Sequence, residues 1–245
     1  MQMSESWQPD IQEPFVAIRS LEETPLSVWT DKKVREWCRE IQESVPTLSR
    51  EISFPATSPT TILPVAAVRD ETFFRMRHVA LGEPNLLKHL PHSLSNLILN
   101  YSGIINVVAR DAASATGLNG EMGPITLPDT DHRRVEAFVT NSELGETGDW
   151  HVDERLTLAF YPQKARLLVS WLRNPRNTDD VLKGPFTDVI IDYGQFVLFD
   201  GVNHPHKGFQ LPGTPRNSDR VVLGFLYDMV HRKTEGPPLD DLLKH

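Results

Sequence analysis

The chain has 245 residues, 39% of them apolar and 24% charged, with a formal net charge of −8. This composition excludes low-complexity disorder as the general state and leaves ample material for a buried core. The acidic balance argues against wholesale attraction to phosphate backbones or anionic membranes, and Cys38, the only cysteine, excludes an intramolecular disulfide and a multi-thiolate zinc site.

Residues 1–10 lack the basic-then-apolar layout of a secretory leader, and no apolar run approaches the roughly 18–20 residues of a membrane span. A cytoplasmic protein is therefore expected. The first strong element is a helix over 31–45, where Val34, Trp37, Cys38, Ile41 and Val45 recur at helical spacing and Thr30 or Asp31 can cap the first turn. Pro55, Pro59 and Pro64 make 53–64 a loop. Arg69, Arg75 and Arg77, beside Phe73 and Phe74, read as a solvated strand face. A weaker helix is predicted over 84–99, with Leu86, Leu87, Leu90, Leu94, Leu97 and Ile98 apolar. Residues 112–131, rich in Gly, Thr and Asp, read as a long surface loop or lid, and His132, Arg133 and Arg134 as a solvated basic patch.

From Arg134 onward the pattern turns to β. Val135, Ala137 and Val139 alternate with more polar residues, and short β-branched or aromatic runs follow at 156–161, 167–172, 189–193, 196–199 and 221–227. Turns are predicted at 174–177, at 193–195 and at Asp200-Gly201. Many short strands preceded by helices predict a mainly β chain with N-terminal helices, built as a jelly-roll or distorted barrel. With no repeat and no Gly/Ser linker, 1–245 reads as a single domain. Residues 1–130 would be helical support and lid, 131–230 the β core with the site, and 231–245 a C-terminal tail.

Three stretches in the β half carry chemistry: 149–153, 203–208 and 218–222. In a strand, His151 and Asp153 project from the same face. Joined by one distant His, they offer three ligands on one side of a metal and leave the other positions open, the arrangement of iron(II) oxygenases. His206 and His204 share parity and compete as that third ligand. The context Pro205-His206-Lys207-Gly208 favours His206. Arg220 heads an apolar strand and shares a face with Val222, Gly224 and Leu226. If that face is interior, Arg220 is a buried cation that needs an anion, and its planar fork suits a carboxylate. Trp150 and Trp171 could line a substrate pocket, although large strand aromatics are more often core. His78, His89, His92, His132, His231 and His245 have no partner at useful spacing.

The order His-x-Asp, then a downstream His, then an Arg on the last strand resembles the Fe(II)/2-oxoglutarate-dependent dioxygenase superfamily. The texture of 199–208 and 220–228 is similar to its prolyl-hydroxylase-like branches, and the resemblance covers 135–228. It implies a double-stranded β-helix (jelly-roll, cupin-like) core with a catalytic centre of Fe(II) on His151, Asp153 and His206. It also implies that Arg220 holds the distal carboxylate of 2-oxoglutarate and that O2 is the oxidant. The implied reaction is oxidation, by default hydroxylation, of a small-molecule or amino-acid-like substrate, with 2-oxoglutarate decarboxylated to succinate. Neither nucleic acid nor a membrane is expected as a partner, and the oligomeric state is left open. The gap from His206 to Arg220 is longer than the family pattern, which keeps Arg216 as an alternative anchor. Val222 stands where many members have Ser. A cupin-type metalloenzyme that uses no keto acid and a non-catalytic β-barrel binding protein are the other two classes this pattern accommodates.

Overall fold

Two antiparallel sheets packed face to face form the body of the protein. A computed structural model describes residues 7–20, 30–51, 61–62, 77–79, 81, 88, 90–92, 95, 107–109, 111–112, 135–140, 150–153, 156–211 and 219–227. The strands are β1 (Val16–Ser20), β2 (Thr61–Ile62), β3 (Arg77–Val79), β4 (Val135–Thr140), β5 (His151–Val152), β6 (Leu156–Tyr161), β7 (Ala165–Ser170), β8 (Phe186–Ile191), β9 (Gln195–Phe199), β10 (His206–Gln210) and β11 (Arg220–Tyr227). Helix α1 spans Asp31–Glu51 and the short α2 spans Thr178–Leu182. One sheet runs β1-β9-β6-β11-β4-β3 and the other β2-β5-β10-β7-β8. From β4 to β11 the chain changes sheet at every connection except the β7–β8 hairpin.

Alternation explains how this stack is filled. On β6, Leu156, Leu158 and Phe160 join the α1 face of the larger sheet, while Ala159 and Tyr161 face the smaller sheet. Both faces are covered, so all six residues of β6 are buried and the strand reads as a nearly continuous apolar run, broken only by Thr157. Helix α1 packs on β11 and β4 through Val34, Trp37, Cys38, Ile41, Val45 and Leu48. The Trp37 ring lies 4.5 Å from Phe160, and Phe160 lies 4.7 Å from Phe196. The space between the sheets is filled by Leu167, Val169, Val189 and Ile191 from one side and Val197 and Phe199 from the other.

Several elements differ from the sequence reading. The helix begins as expected, with Thr30 Oγ1 accepting from Lys33 N at 3.4 Å, but it continues through Pro46 to Glu51 instead of ending at Val45. Pro46 removes one backbone donor. Burial of Val45 and Leu48 on the apolar face offsets that loss. Residues 61–62, expected in a loop, form β2 because they pair with the edge of β5. The stretch 1–130, read as helical, also supplies β1, which adds to the larger sheet along β9. Strand β7 starts at Ala165 and ends at Ser170, and β8 ends at Ile191 because the chain turns at Tyr193-Gly194, where Gly194 takes φ 72°. Residues 174–177 lead into the unexpected α2, with Asn177 as its N-cap accepting from Asp180 N at 3.0 Å. The predicted helix over 84–99, the lid over 112–131 and the basic triplet 132–134 fall wholly or largely outside the described residues. No helix among the described residues is long and apolar enough to cross a membrane.

Candidate metal and anion site

The site lies between the sheets, where a cavity of about 70 Å³ is lined from both sides. Strand β10 sits between β5 and β7, so His206 is paired with His151 on one side and Val169 on the other. Directly opposed residues of an antiparallel pair share a face, which brings the two imidazoles together with centroids 4.2 Å apart. Asp153 follows β5 rather than continuing it, and its N–H donates to Gly201 O at 2.8 Å. Asp153 Oδ1 lies 3.9 Å from His151 Nε2 and 3.6 Å from His206 Nε2. The ligand atoms of all three residues lie within 4.8 Å of one another, a grouping able to hold a metal ion.

The 200–205 turn sets this geometry. Asp200 Oδ1 accepts from Asn203 N at 3.1 Å, its backbone oxygen accepts from His204 N at 3.1 Å, and Ser170 N donates to Pro205 O at 2.8 Å. A Cβ at Gly201 would come within 2.8 Å of Asp153 Oδ2 and 3.0 Å of His206 Cε1. Only glycine leaves room here for the carboxylate beside the imidazole. Sequence reasoning saw Gly201 merely as a turn residue. Parity could not separate His204 from His206, because β10 begins only at His206 and alternation does not extend back into the turn. His204 is turned away: its Nδ1–H donates to Ser170 O at 2.8 Å, and its Nε2 lies 3.8 Å from Asp200.

Burial controls the charge of the group. The carbonyl of His204 accepts from His206 Nδ1 at 3.3 Å, which puts the ring proton on Nδ1 and leaves the Nε2 lone pair facing Asp153. Desolvation pushes His206 down to about 4, so its ring is neutral. Desolvation likewise pushes the Asp153 carboxyl up to about 6, against the opposing pull of His151 and of the Thr157 hydroxyl. Among the described residues no Lys or Arg lies within ion-pair distance of Asp153. A desolvated carboxylate beside a neutral imidazole with its lone pair free is a donor set that fits a divalent cation.

Farther along the cavity the chemistry reverses sign. Arg220 is only 8% exposed, and burial lowers its pKa against the pull of the Tyr161 side chain. Its Nε donates to Thr140 Oγ1 at 3.2 Å, and among the described residues no carboxylate lies within ion-pair distance. Tyr161, pushed up to about 12 by burial, keeps its phenolic proton. Thr157 on β6 lies beside Asp153, and Tyr161 on the same face is within electrostatic reach of Arg220 and Asp153. The guanidinium lies over Gly208, two residues from His206 on β10, so the strand rise separates the two ends by about 7 Å. Ala159 between Thr157 and Tyr161, with Leu167, Phe199 and Val222, makes the middle of the cavity apolar. The sequence reading missed Thr157, Tyr161 and Thr140. The available signal was the two hydroxyl residues at matching parity within the apolar run of β6.

The other sequence candidates lie elsewhere. Trp150 stacks on Phe186 at 5.4 Å in a separate cluster with Val181, and Trp171 Nε1 donates to Thr187 Oγ1 at 2.9 Å. Neither lines the cavity, because Trp150 precedes β5 and Trp171 follows the end of β7. Arg216, Arg69 and Arg75 lie outside the described residues. No family model matches the chain, and no curated protein matches it. Among solved structures, the chain is similar to a Shewanella oneidensis protein provisionally described as an oxygenase, at 17% identity, with 90% of this chain and 84% of that chain covered and a TM-score of 0.49.

Proposed function

We propose that this protein is a non-haem Fe(II)- and 2-oxoglutarate-dependent dioxygenase whose eight strands β4–β11 form a jelly-roll. The alternation of those strands between the two sheets supports the topology. One observation carries the functional reading: a buried guanidinium without a carboxylate partner among the described residues shares a cavity with a His-Asp-His cluster. A buried cation is costly unless an anion meets it. A dicarboxylate reaching from the metal end to Arg220 would serve both ends of the cavity at once.

In this reading His151 and His206 give imidazole nitrogens and Asp153 a carboxylate oxygen to Fe(II). When bound, the iron would supply open coordination positions and the oxidising chemistry, with 2-oxoglutarate decarboxylated to succinate as O2 is consumed. Arg220 would grip the distal carboxylate through its fork, and the protonated Tyr161 would add a donor where Val222 offers none. Phe199 and Phe138 help keep water from the reacting end. The substrate we propose is a small molecule or amino-acid-like compound, in keeping with the acidic surface charge. The test is an anaerobic Fe(II) titration with and without 2-oxoglutarate, followed by an assay for succinate on admitting O2. A weak visible charge-transfer band that needs both components, and succinate formation, are the expected results. Iron binding with no response to the keto acid would indicate a cupin-type metalloenzyme, and no iron binding a non-catalytic protein.

A further inference from the structure

Arg220 is aimed by its surroundings as well as buried by them. Arg220 on β11 and Thr140 on β4 are register partners, and the Nε to Oγ1 hydrogen bond of 3.2 Å closes directly across that pair. Both residues are buried, at 8% and 6% exposure, so this bond is formed away from water. The guanidinium then crosses the gap between the sheets and lies over β10. There a Cβ at Gly208 would stand 2.2 Å from Nη1 and 3.3 Å from Cζ. No side chain other than hydrogen at 208 leaves the guanidinium where it is.

We infer that Thr140 and Gly208 are positioning residues that orient the Arg220 guanidinium toward a carboxylate in the cavity. Thr140 occupies Nε, and Gly208 leaves the space in which the Nη edge can turn toward a carboxylate. The inference rests on the proposed use of a keto diacid, but it concerns carboxylates as a class. An Arg side chain has several free torsions, and a carboxylate contact needs its planar fork in one orientation. Tying down Nε removes much of that freedom before the ligand arrives, which is preorganisation in the ordinary sense. Thr140 touches the anchor and not the metal cluster, so its loss should weaken the co-substrate and spare the metal.

The experiment is calorimetric titration of the full chain with Mn(II) alone, and then of the Mn(II)-loaded chain with 2-oxoglutarate and with succinate. It is run on wild type, Thr140→Val, Thr140→Ser and Gly208→Ala, with Tm recorded for each. Thr140→Val is nearly isosteric and should raise the 2-oxoglutarate Kd about tenfold, the equivalent of one charge-assisted hydrogen bond. Thr140→Ser should restore it to within about twofold, and Gly208→Ala should weaken it at least as much as Thr140→Val. Mn(II) affinity should be unchanged throughout. Unaltered carboxylate binding in both Thr140→Val and Gly208→Ala overturns the positioning role while leaving the dioxygenase reading intact. Loss of Mn(II) affinity together with carboxylate affinity and Tm in Thr140→Val marks a merely structural residue and also overturns it. If wild type ignores 2-oxoglutarate but binds succinate in a Thr140-dependent way, the positioning role stands and the keto-acid reading falls. If wild type binds neither, both fall.

Discussion

The two faces of the larger sheet are made by the same strands and do different work. On the α1 side, Leu156, Leu158, Phe160, Val221, Leu223 and Phe225 are almost wholly buried in one apolar cluster. On the other side, one residue out of step, Thr157, Ala159, Tyr161, Arg220 and Val222 line the cavity. The first face gives stability through close packing. The second face gives some of it up, because it buries a guanidinium and, across the gap, half-buries a carboxylate, neither with an oppositely charged Lys, Arg or carboxylate partner among the described residues. Strand alternation lets one sheet separate folding from chemistry by single-residue offsets, so substitutions on opposite faces should fail in opposite ways.

The largest effect should come from the metal end. With the proposed ligand set, Asp153→Ala removes the anionic ligand and should abolish metal binding and turnover, while the apo protein keeps its far-ultraviolet circular dichroism and a Tm at or above wild type. His206→Ala should cost at least about ten times more metal affinity than His204→Ala, since each decade is about 1.4 kcal/mol and only His206 faces the cluster. Equal losses would mean the 200–205 turn can present either ring. The opposite failure is expected on the α1 face. Phe160→Ala empties a fully buried position beside Trp37 and Phe196 and should lower unfolding free energy by about 3–5 kcal/mol. Denaturant melts should register that loss, whereas Mn(II) affinity of the folded fraction should not move.

Much of the packed face was legible in the sequence, and much of the site was not. Val34, Trp37, Ile41 and the strands around 156–161, 196–199 and 221–227 announce themselves because burial demands apolar residues at a fixed period. The grouping of His151, Asp153 and His206 was legible from placement. A His-x-Asp pair arises readily by chance, and only its position at the head of the β region, with a distant His after the 196–199 strand, singled it out. Strand β10 was not, since HKGFQ has little β propensity and is held by pairing to β7 and β5. The roles of Gly201, Gly208 and Thr140 at the site were not legible for a related reason. What they contribute is space or a single acceptor across sheets, and neither leaves a periodic trace.

The anion end should show a smaller and cleaner effect. Arg220→Ala removes the proposed carboxylate fork and should raise the apparent 2-oxoglutarate constant by roughly tenfold to a hundredfold, with metal affinity changed far less. Arg220→Lys should recover only part of this, because the charge returns without the two-point geometry. Succinate formation titrated against 2-oxoglutarate measures both. A large effect in Arg216→Ala with none in Arg220→Ala would move the anchor off β11 and remove the offset that separates the two faces.

The smallest effect expected is a change with pH, and it tests whether the half-buried Asp153 carboxylate is the weak point of the apo fold. Burial raises Asp153 from the ordinary carboxylate range to about 6, so the folded apo protein holds this proton more tightly than the unfolded chain does. The stabilising contribution of the protonated group is therefore complete below the unfolded value near 4 and is lost as pH rises through about 6. A bound divalent ion reverses the preference, since it must displace that proton. Mn(II) affinity should fall below about 6 by about tenfold per unit for the Asp153 proton alone, and more steeply where His151, whose positive charge pulls on Asp153, also gives up a proton to the ion. His206, held down to about 4, stays neutral across this window and adds no second proton to the slope. Calorimetric Mn(II) titrations from pH 5 to 8 would measure the break, and apo Tm over the same range should move the other way. In Asp153→Asn the fall in apo Tm between pH 4 and 6 should be reduced, because the amide cannot ionise. A slope steeper than one proton, or a break well above 6, would mean that a second ligand shares the titration and that Asp153 alone does not set the charge of the cavity.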